Sequence, residues 1–305
     1  MNRTWLTTGQ FAAFERAGTD AYRVYSDAEG WIERLAQDAL ISHRSAGALD
    51  GMREGLREWS AATGWQPRRV FGKLLPRQNE DRDPPRLLEG DSALPLSGDV
   101  RENGVRYGLD FAAGYSAGLF LDQRMNRAFV RSTAPRRLLN TFAYTCSFSV
   151  VAALAGAETV SVDLSKKSLE RGRANLLLNG LDPNPGHQFI ADDVLEVLPR
   201  LARRGAKFDA IVLDPPTFSR GNKGRRWQVE EHLEDLVLAA MEVAAPHARI
   251  LVSTNCTKIQ NSDLERVARF ALKFQRRPGD LHREAQSADF PPGHGARTLW
   301  VSLRG

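Results

Sequence analysis

With 305 residues, 42% of them hydrophobic, the chain is long enough for one large domain and a smaller one. No stretch approaches the roughly eighteen to twenty apolar residues of a membrane helix, and the opening MNRTWLTTGQFAAFERAGTD has no cleavable apolar core, so a cytoplasmic protein without a membrane partner is expected. The two cysteines, Cys146 and Cys256, lie far apart and off any metal-type spacing, so neither a disulfide framework nor a metal site is expected; the net charge of +5 is compatible with a polyanionic partner.

Residues 26–42 place Trp31, Leu35, Ala39 and Leu40 on one helical face, with Ser26 or Asp27 as N-cap, and predict a helix. Residues 52–62 predict a second helix and 68–75 a strand. The stretch 76–99 is rich in proline, glycine and charge, which predicts a flexible excursion and a domain boundary. Residues 1–100 then form an N-terminal α+β domain on the substrate side, and 101–305 a second domain.

From Arg136 the pattern alternates. Short apolar strands are expected at 136–142, 159–163, 187–192, 208–214 and 248–255. Helices are expected at 147–156, 165–180, 194–205, 229–246 and 262–274, the second with Ser165 as N-cap and Gly180 as its stop. The last segments, 280–287 and 298–304, predict an antiparallel hairpin with a short loop. The fold class is α/β: a Rossmann-like, doubly wound, seven-stranded, mostly parallel sheet. Ligands of such a sheet bind at the carboxyl ends of the strands.

The first strand runs into a loop whose small residues Thr145, Cys146 and Ser147 allow close backbone approach, without the G-x-G-x-x-G of a dinucleotide site. Taken alone it is also a plain strand-to-helix turn. The second strand ends on Asp163, an acceptor for both hydroxyls of a ribose. The third ends at Asp192 and Asp193; either can accept from an adenine amine or cap the following helix. These ends describe a nucleoside pocket without a phosphate site. S-adenosylmethionine, with adenine, ribose and a sulfonium, fits it better than a nicotinamide dinucleotide.

The fourth strand ends AIVLDPPTFS. Pro215 and Pro216 fix φ and remove donors, Asp214 adds an acceptor, and Phe218 offers a flat face for a base. After the fifth strand stands Cys256, either a small buried residue or a nucleophile toward C6 of a pyrimidine.

These residues, in this order, resemble the class I S-adenosylmethionine-dependent methyltransferases, and more narrowly bacterial enzymes that modify 23S ribosomal RNA: the guanine-N7 half of the bifunctional K/L enzyme and the cytosine-C5 methyltransferase I. The resemblance runs from about Tyr107 to the C-terminus and is densest in GLFLDQR (118–124), LLNTFAYT (138–145), VSVDLSKKSLE (160–170), NLLLNGL (175–181) and LDPPTFS (213–219). It implies that the methyl donor is held by Phe142, Tyr144, Thr145, Cys146, Ser147, Phe148, Asp163, Leu164, Asp192, Asp193, Gln123 and Asp214. It implies that Asp122, Gln123 and Arg124 fold over the donor, and that transfer occurs beside Asp214, Pro215, Pro216, Thr217 and Phe218. RNA contacts then fall to the first domain and to the basic loop 219–228, where Arg225 and Arg226 meet phosphate and Trp227 stacks a base.

The expected function is methyl transfer from S-adenosylmethionine to a base of RNA, either directly to a ring nitrogen such as guanine N7, or to cytosine C5 through Cys256. A small-molecule methyltransferase, a nicotinamide-dependent oxidoreductase and an RNA-binding protein without catalysis are the rival classes.

Overall fold

A computed structural model describes residues 4–75, 83–220 and 226–305, which divide into two compact units. The first comprises Met1–Asp122 with Gln286–His294, the second Gln123–Ala285 with Gly295–Gly305. The boundary at 122/123 falls later than the proline-rich stretch, and 286–294 returns to the first unit.

The first unit contains β1 (Thr4–Trp5), α1 (Thr8–Arg16), β2 (Ala21–Ser26), β3 (Gly30–Leu35), β4 (Asp38–His43), α2 (Ala46–Thr63), β5 (Arg69–Leu74), β6 (Arg86–Gly90), β7 (Ser97–Glu102) and β8 (Val105–Asp110). Strands β1 to β6 form one sheet in chain order, antiparallel except for the β4–β5 pair, across which α2 makes the connection. Its core holds Tyr22, Ile32, Ile41, Met52, Leu56 and Trp59. Strands β7 and β8 pair as a hairpin.

The helix expected over 26–42 is replaced by the β3–β4 hairpin. Apolar residues at 31, 35, 39 and 40 fit a helical face, but pairing of β3 with β2 and of β4 with β5 selects strands, and Ala36 turns the chain at φ 57° between the two. Gly30 sits at φ 152°, and its Cα faces the Ser42 carbonyl so closely that no Cβ fits there. Asp27, the expected helix cap, instead accepts the N–H groups of Glu29 and Gly30 at 2.8 and 3.0 Å and builds the β2–β3 turn. The excursion expected over 76–99 contains β6 and the start of β7; residues 76–82 lie outside the described residues.

The second unit contains α3 (Arg124–Thr133), β9 (Arg137–Thr141), α4 (Ser147–Leu154), β10 (Glu158–Asp163), α5 (Lys166–Leu178), β11 (His187–Ala191), α6 (Val194–Arg203), β12 (Phe208–Leu213), β13 (Phe218–Arg220), β14 (Arg226–Gln228), α7 (Val229–Val243), β15 (Ala244–Thr254), α8 (Asn261–Phe274), β16 (Gly279–His282) and β17 (Arg297–Leu303). The sheet order is β11-β10-β9-β12-β15-β17-β16. The first five of these run parallel, and β17 is antiparallel to both of its neighbours. The closing hairpin is present, but residues 283–296 join it, a far longer connection than expected. Ile211, Leu213, Leu236, Val237, Ile250 and Leu299 lie in a core of β12, β15, β17 and the helices packed on them. Burial on both faces explains why these strands read as apolar runs rather than alternating ones.

Candidate functional site

The chain winds outward from β9 through β10 to β11, then crosses back to β12 on the other side of β9. Such a reversal leaves a crevice at the carboxyl ends of β9 and β12. Two side chains tie the switch together. Thr141 Oγ1 donates to Val212 O at 2.6 Å, and Asn140 Nδ2 donates to Ser149 Oγ, which bonds Ser161 Oγ at 2.8 Å.

The loop after β9 is strained. Phe142, Tyr144 and Cys146 all lie in the left-handed region, at φ 52°, 47° and 59°. Each costs on the order of 1 kcal/mol for a non-glycine residue, and such strain collects where a ligand must meet the backbone. Three contacts hold it. Ala143 N–H donates to Val162 O at 3.0 Å, Tyr144 N–H to Asp163 Oδ2 at 2.8 Å, and Asn175 Nδ2 to Thr145 O at 2.9 Å. Cys146 fits because α5 presents Gly172: a Cβ there would fall 2.8 Å from Cys146 Cβ and closer still to its sulfur. Burial pushes the Cys146 thiol up to about 12, so it stays protonated at neutral pH. The N-terminus of α4 follows at Ser147 without a side-chain cap.

Asp163 ends β10. Its Oδ2 takes the Tyr144 N–H, and its Oδ1 takes the Ser165 N–H at 2.8 Å. Burial raises its pKa, and those two backbone hydrogen bonds oppose the rise. A carboxylate offers about four lone-pair sites, so two are left for a ligand. Ser165 caps α5 as expected. Leu164 is exposed beside Asp163. At the end of β11, Asp193 caps α6 by accepting the Leu195 N–H at 2.9 Å, while Asp192 pairs with Arg200.

Asp214 follows β12. Gln123 Nε2 donates to its Oδ2 at 3.2 Å and to Ser253 Oγ at 2.7 Å; Asn126 Nδ2 donates to Gln123 Oε1 at 2.8 Å, and Trp300 Nε1 to Asn126 Oδ1 at 2.9 Å. Gln123, Asn126 and Trp300 are all buried, so this chain holds the carboxylate through side chains that have no access to water. Arg124 is buried at the start of α3; Asp122 belongs to the first unit. Pro215 is buried, while Pro216, Thr217 and Phe218 are exposed, with the Arg226 guanidinium 5.6 Å from the Phe218 ring. Trp227 is buried: its indole N–H donates to Pro216 O at 2.8 Å and its ring lies 5.7 Å from that of Phe142. Its contacts thus brace the loops after β12 and β9 against each other. Arg225 lies outside the described residues.

Cys256 is buried just past β15, with its N–H on Thr254 Oγ1 at 3.1 Å. The Glu230 carboxyl is held below the usual range first by Lys258 at 3.0 Å and then by its own backbone N–H. Asn126, Trp300, Asn175, Gly172 and Glu230 did not stand out as site residues. Asn175 and Gly172 lie in or beside the NLLLNGL segment; the other three carry no local signal.

Among the described residues, no group of three or more His, Cys, Asp or Glu side chains could hold a metal ion, and no helix is long and apolar enough to cross a membrane. The strand order, the acidic end of β10 and the strained loop without a glycine fingerprint define a nucleoside-cofactor α/β domain. The model of the family described as S-adenosylmethionine-dependent methyltransferase matches residues 18–297, and the chain belongs to that family. It is 37% identical over 198 residues to the ribosomal RNA large subunit methyltransferase I of Aeromonas salmonicida, covering 64% of this chain and 49% of that protein. The chain spans about half the length of the curated relatives it matches. Among solved structures it resembles SMU.776, a putative methyltransferase complexed with SAH (TM-score 0.81, 23% identity, 97% of this chain and 79% of that one). It also resembles a putative methyltransferase from Streptococcus mutans (TM-score 0.77, 23% identity, 98% and 82%).

The residues present fit S-adenosylmethionine. Asp163 retains acceptor capacity, α4 begins without a side-chain cap, and the 142–148 loop contains no lysine or arginine with which to grip a phosphate.

Proposed function

We propose that this protein transfers a methyl group from S-adenosylmethionine to a base of RNA, with large-subunit ribosomal RNA as the substrate class. The observation that carries the reading is Asp214, a carboxylate fixed by the buried Gln123–Asn126–Trp300 chain at the switch point, next in sequence to a proline-stiffened segment and the exposed Phe218. The name of the Aeromonas salmonicida relative supports the choice of RNA.

When bound, the donor supplies a methyl group activated by a sulfonium, which leaves as a neutral thioether. Asp163 accepts from the ribose hydroxyls, and Leu164 packs on its apolar face. The loop Phe142–Phe148 and the N-terminus of α4 take the amino-acid part through backbone N–H groups. Asp192 and Asp193 face the adenine. Asp214 accepts an N–H of the acceptor base, Phe218 stacks on it, and Thr217 and Arg226 contact the RNA, while Arg124, expected on the substrate side, is buried within the fold. A ring nitrogen with a free lone pair, such as guanine N7, needs no deprotonation, so the residues act by positioning.

A second reading is favoured by the place of Cys256, just past the carboxyl end of β15. The Cys256 sulfur forms a bond to C6 of a cytosine after its thiol proton has passed to a base. C5 then carries the electron pair that captures the methyl group. Loss of the C5 proton to a carboxylate returns the electrons and breaks the S–C6 bond, which restores the ring and releases Cys256 as a thiolate that takes its proton back.

Mass mapping of ribosomal RNA nucleosides from cells with and without the protein tests the proposal: one methylated base should vanish, and an unchanged map would refute it. Cys256→Ala separates the two routes. Full activity in that variant excludes the covalent one; a cross-link to RNA carrying 5-fluorocytidine establishes it.

A further inference from the structure

The first unit carries a groove of about 310 Å³ between α2 and the stretch that runs into β5, closed by the end of β6. Four arginines line it, Arg53, Arg57, Arg68 and Arg69, against one carboxylate, Glu89. Glu89 Oε1 accepts from both Arg53 and Arg57, the latter at 3.1 Å, so it holds two guanidiniums side by side without neutralising both. Arg69 is committed: it grips Asp38 at 2.6 and 3.1 Å and donates to the carbonyls of Leu94 and Pro95. Arg57 and Arg68 are not. Their side chains are 64% and 54% exposed; Arg57 commits one donor, and Arg68 reaches Asp38 only at 3.8 Å. Ser60 also lines the groove, and its hydroxyl is buried with no hydrogen-bond partner. A buried hydroxyl without a partner is costly, so it marks a place where a polar group belongs.

We infer that this groove binds a phosphodiester of the RNA backbone, with Arg57 and Arg68 as the donors and Ser60 beneath them. The inference rests on the RNA reading above and adds a contact in the first unit. Guanidinium forks match phosphate geometry, and four arginines against Glu89 and the Asp38 that grips Arg69 leave a surplus of two positive charges, which suits a compact anion better than a mixed protein surface. Contacts of this kind position RNA without reading its sequence.

The test is the salt dependence of binding of a large-subunit ribosomal RNA fragment to the full chain, its variant Arg57→Glu/Arg68→Glu, the neutral variant Arg57→Gln/Arg68→Gln and a control, Glu54→Gln/Glu58→Gln. Those glutamates line a separate acidic groove on α2. Each phosphate contact contributes roughly 0.7–0.9 to the slope of log K against log salt. Both arginine variants should lose about 1.4–1.8 of that slope and bind at least about tenfold more weakly, with S-adenosylhomocysteine affinity unchanged. The control should keep its slope. Unchanged slopes in arginine variants that still bind S-adenosylhomocysteine overturn the groove and leave the RNA reading standing. If the unmodified chain binds no RNA, both fall. If polyglutamate of equal charge competes as well as RNA, the groove serves an acidic protein and the inference is wrong.

Discussion

Gln123 holds Asp214 at 3.2 Å through one amide nitrogen, which also reaches Ser253 at 2.7 Å. Gln123→Ala would remove this anchor from the carboxylate and leave Asn126 Nδ2 buried without its acceptor. The turnover rate should fall on the order of tenfold to a hundredfold while S-adenosylhomocysteine affinity changes less. Stability should fall by about 1–3 kcal/mol. Single-turnover methylation and thermal unfolding measure the two effects separately, and an unchanged rate would remove Asp214 orientation from the mechanism.

Asp163 links cofactor binding to pH. Burial raises its pKa, so in the free protein its contribution to stability is complete below the unfolded value and is lost as pH rises through the folded one. Ribose hydroxyls require the ionised form. Affinity for S-adenosylhomocysteine should therefore weaken as pH drops through that raised pKa. Asp163→Asn should bind roughly tenfold to a hundredfold more weakly, with that pH dependence gone. Calorimetric titration between pH 4 and pH 8 reads both.

Gly172 and Cys146 should behave as a coupled pair. Gly172→Ala drives a methyl group into the Cys146 side chain and should destabilise by about 1–3 kcal/mol. In a Cys146→Gly background the space is open and the left-handed φ costs nothing, so the same substitution should be nearly silent. A double-mutant cycle by thermal unfolding gives the coupling; additive effects would refute the contact.

Arg277 clamps the end of α7. Its guanidinium donates to Met241, Ala244, Ala245 and Pro246 carbonyls at 3.2, 3.1, 2.6 and 3.2 Å. Arg277→Ala should cost about 2–4 kcal/mol, and Arg277→Lys should recover only part of it, because an ammonium cannot span four acceptors. Denaturant titration of both variants checks the order.

The second unit was largely legible in the chain because its signals are local. Ser165 announces a helix start, and apolar runs ending on Asp163 and Asp214 announce strands that stop at a site. The first unit was harder. Trp31, Leu35, Ala39 and Leu40 satisfy a helical face, and only pairing with β2 and β5 selects strands. The site's supports were hidden for the same reason: Trp300 reaches Asn126 across 174 positions. Trp227 was expected to stack a base, but it sits in a basic stretch beside the exposed Arg226, and nothing local shows that its ring is buried against Phe142.

The return of residues 286–294 to the first unit has a consequence during synthesis. Asp289 accepts the Arg23 N–H at 3.0 Å, and the Arg23 guanidinium lies between Trp31 and Phe290, 4.7 and 4.3 Å from their rings. On the ribosome, β2 must wait for a segment 266 positions further along the chain before that amide finds its acceptor. A fragment ending at residue 122 would keep the sheet's strands but lack this seal, so expressing the first unit alone requires grafting the 286–294 segment back onto it.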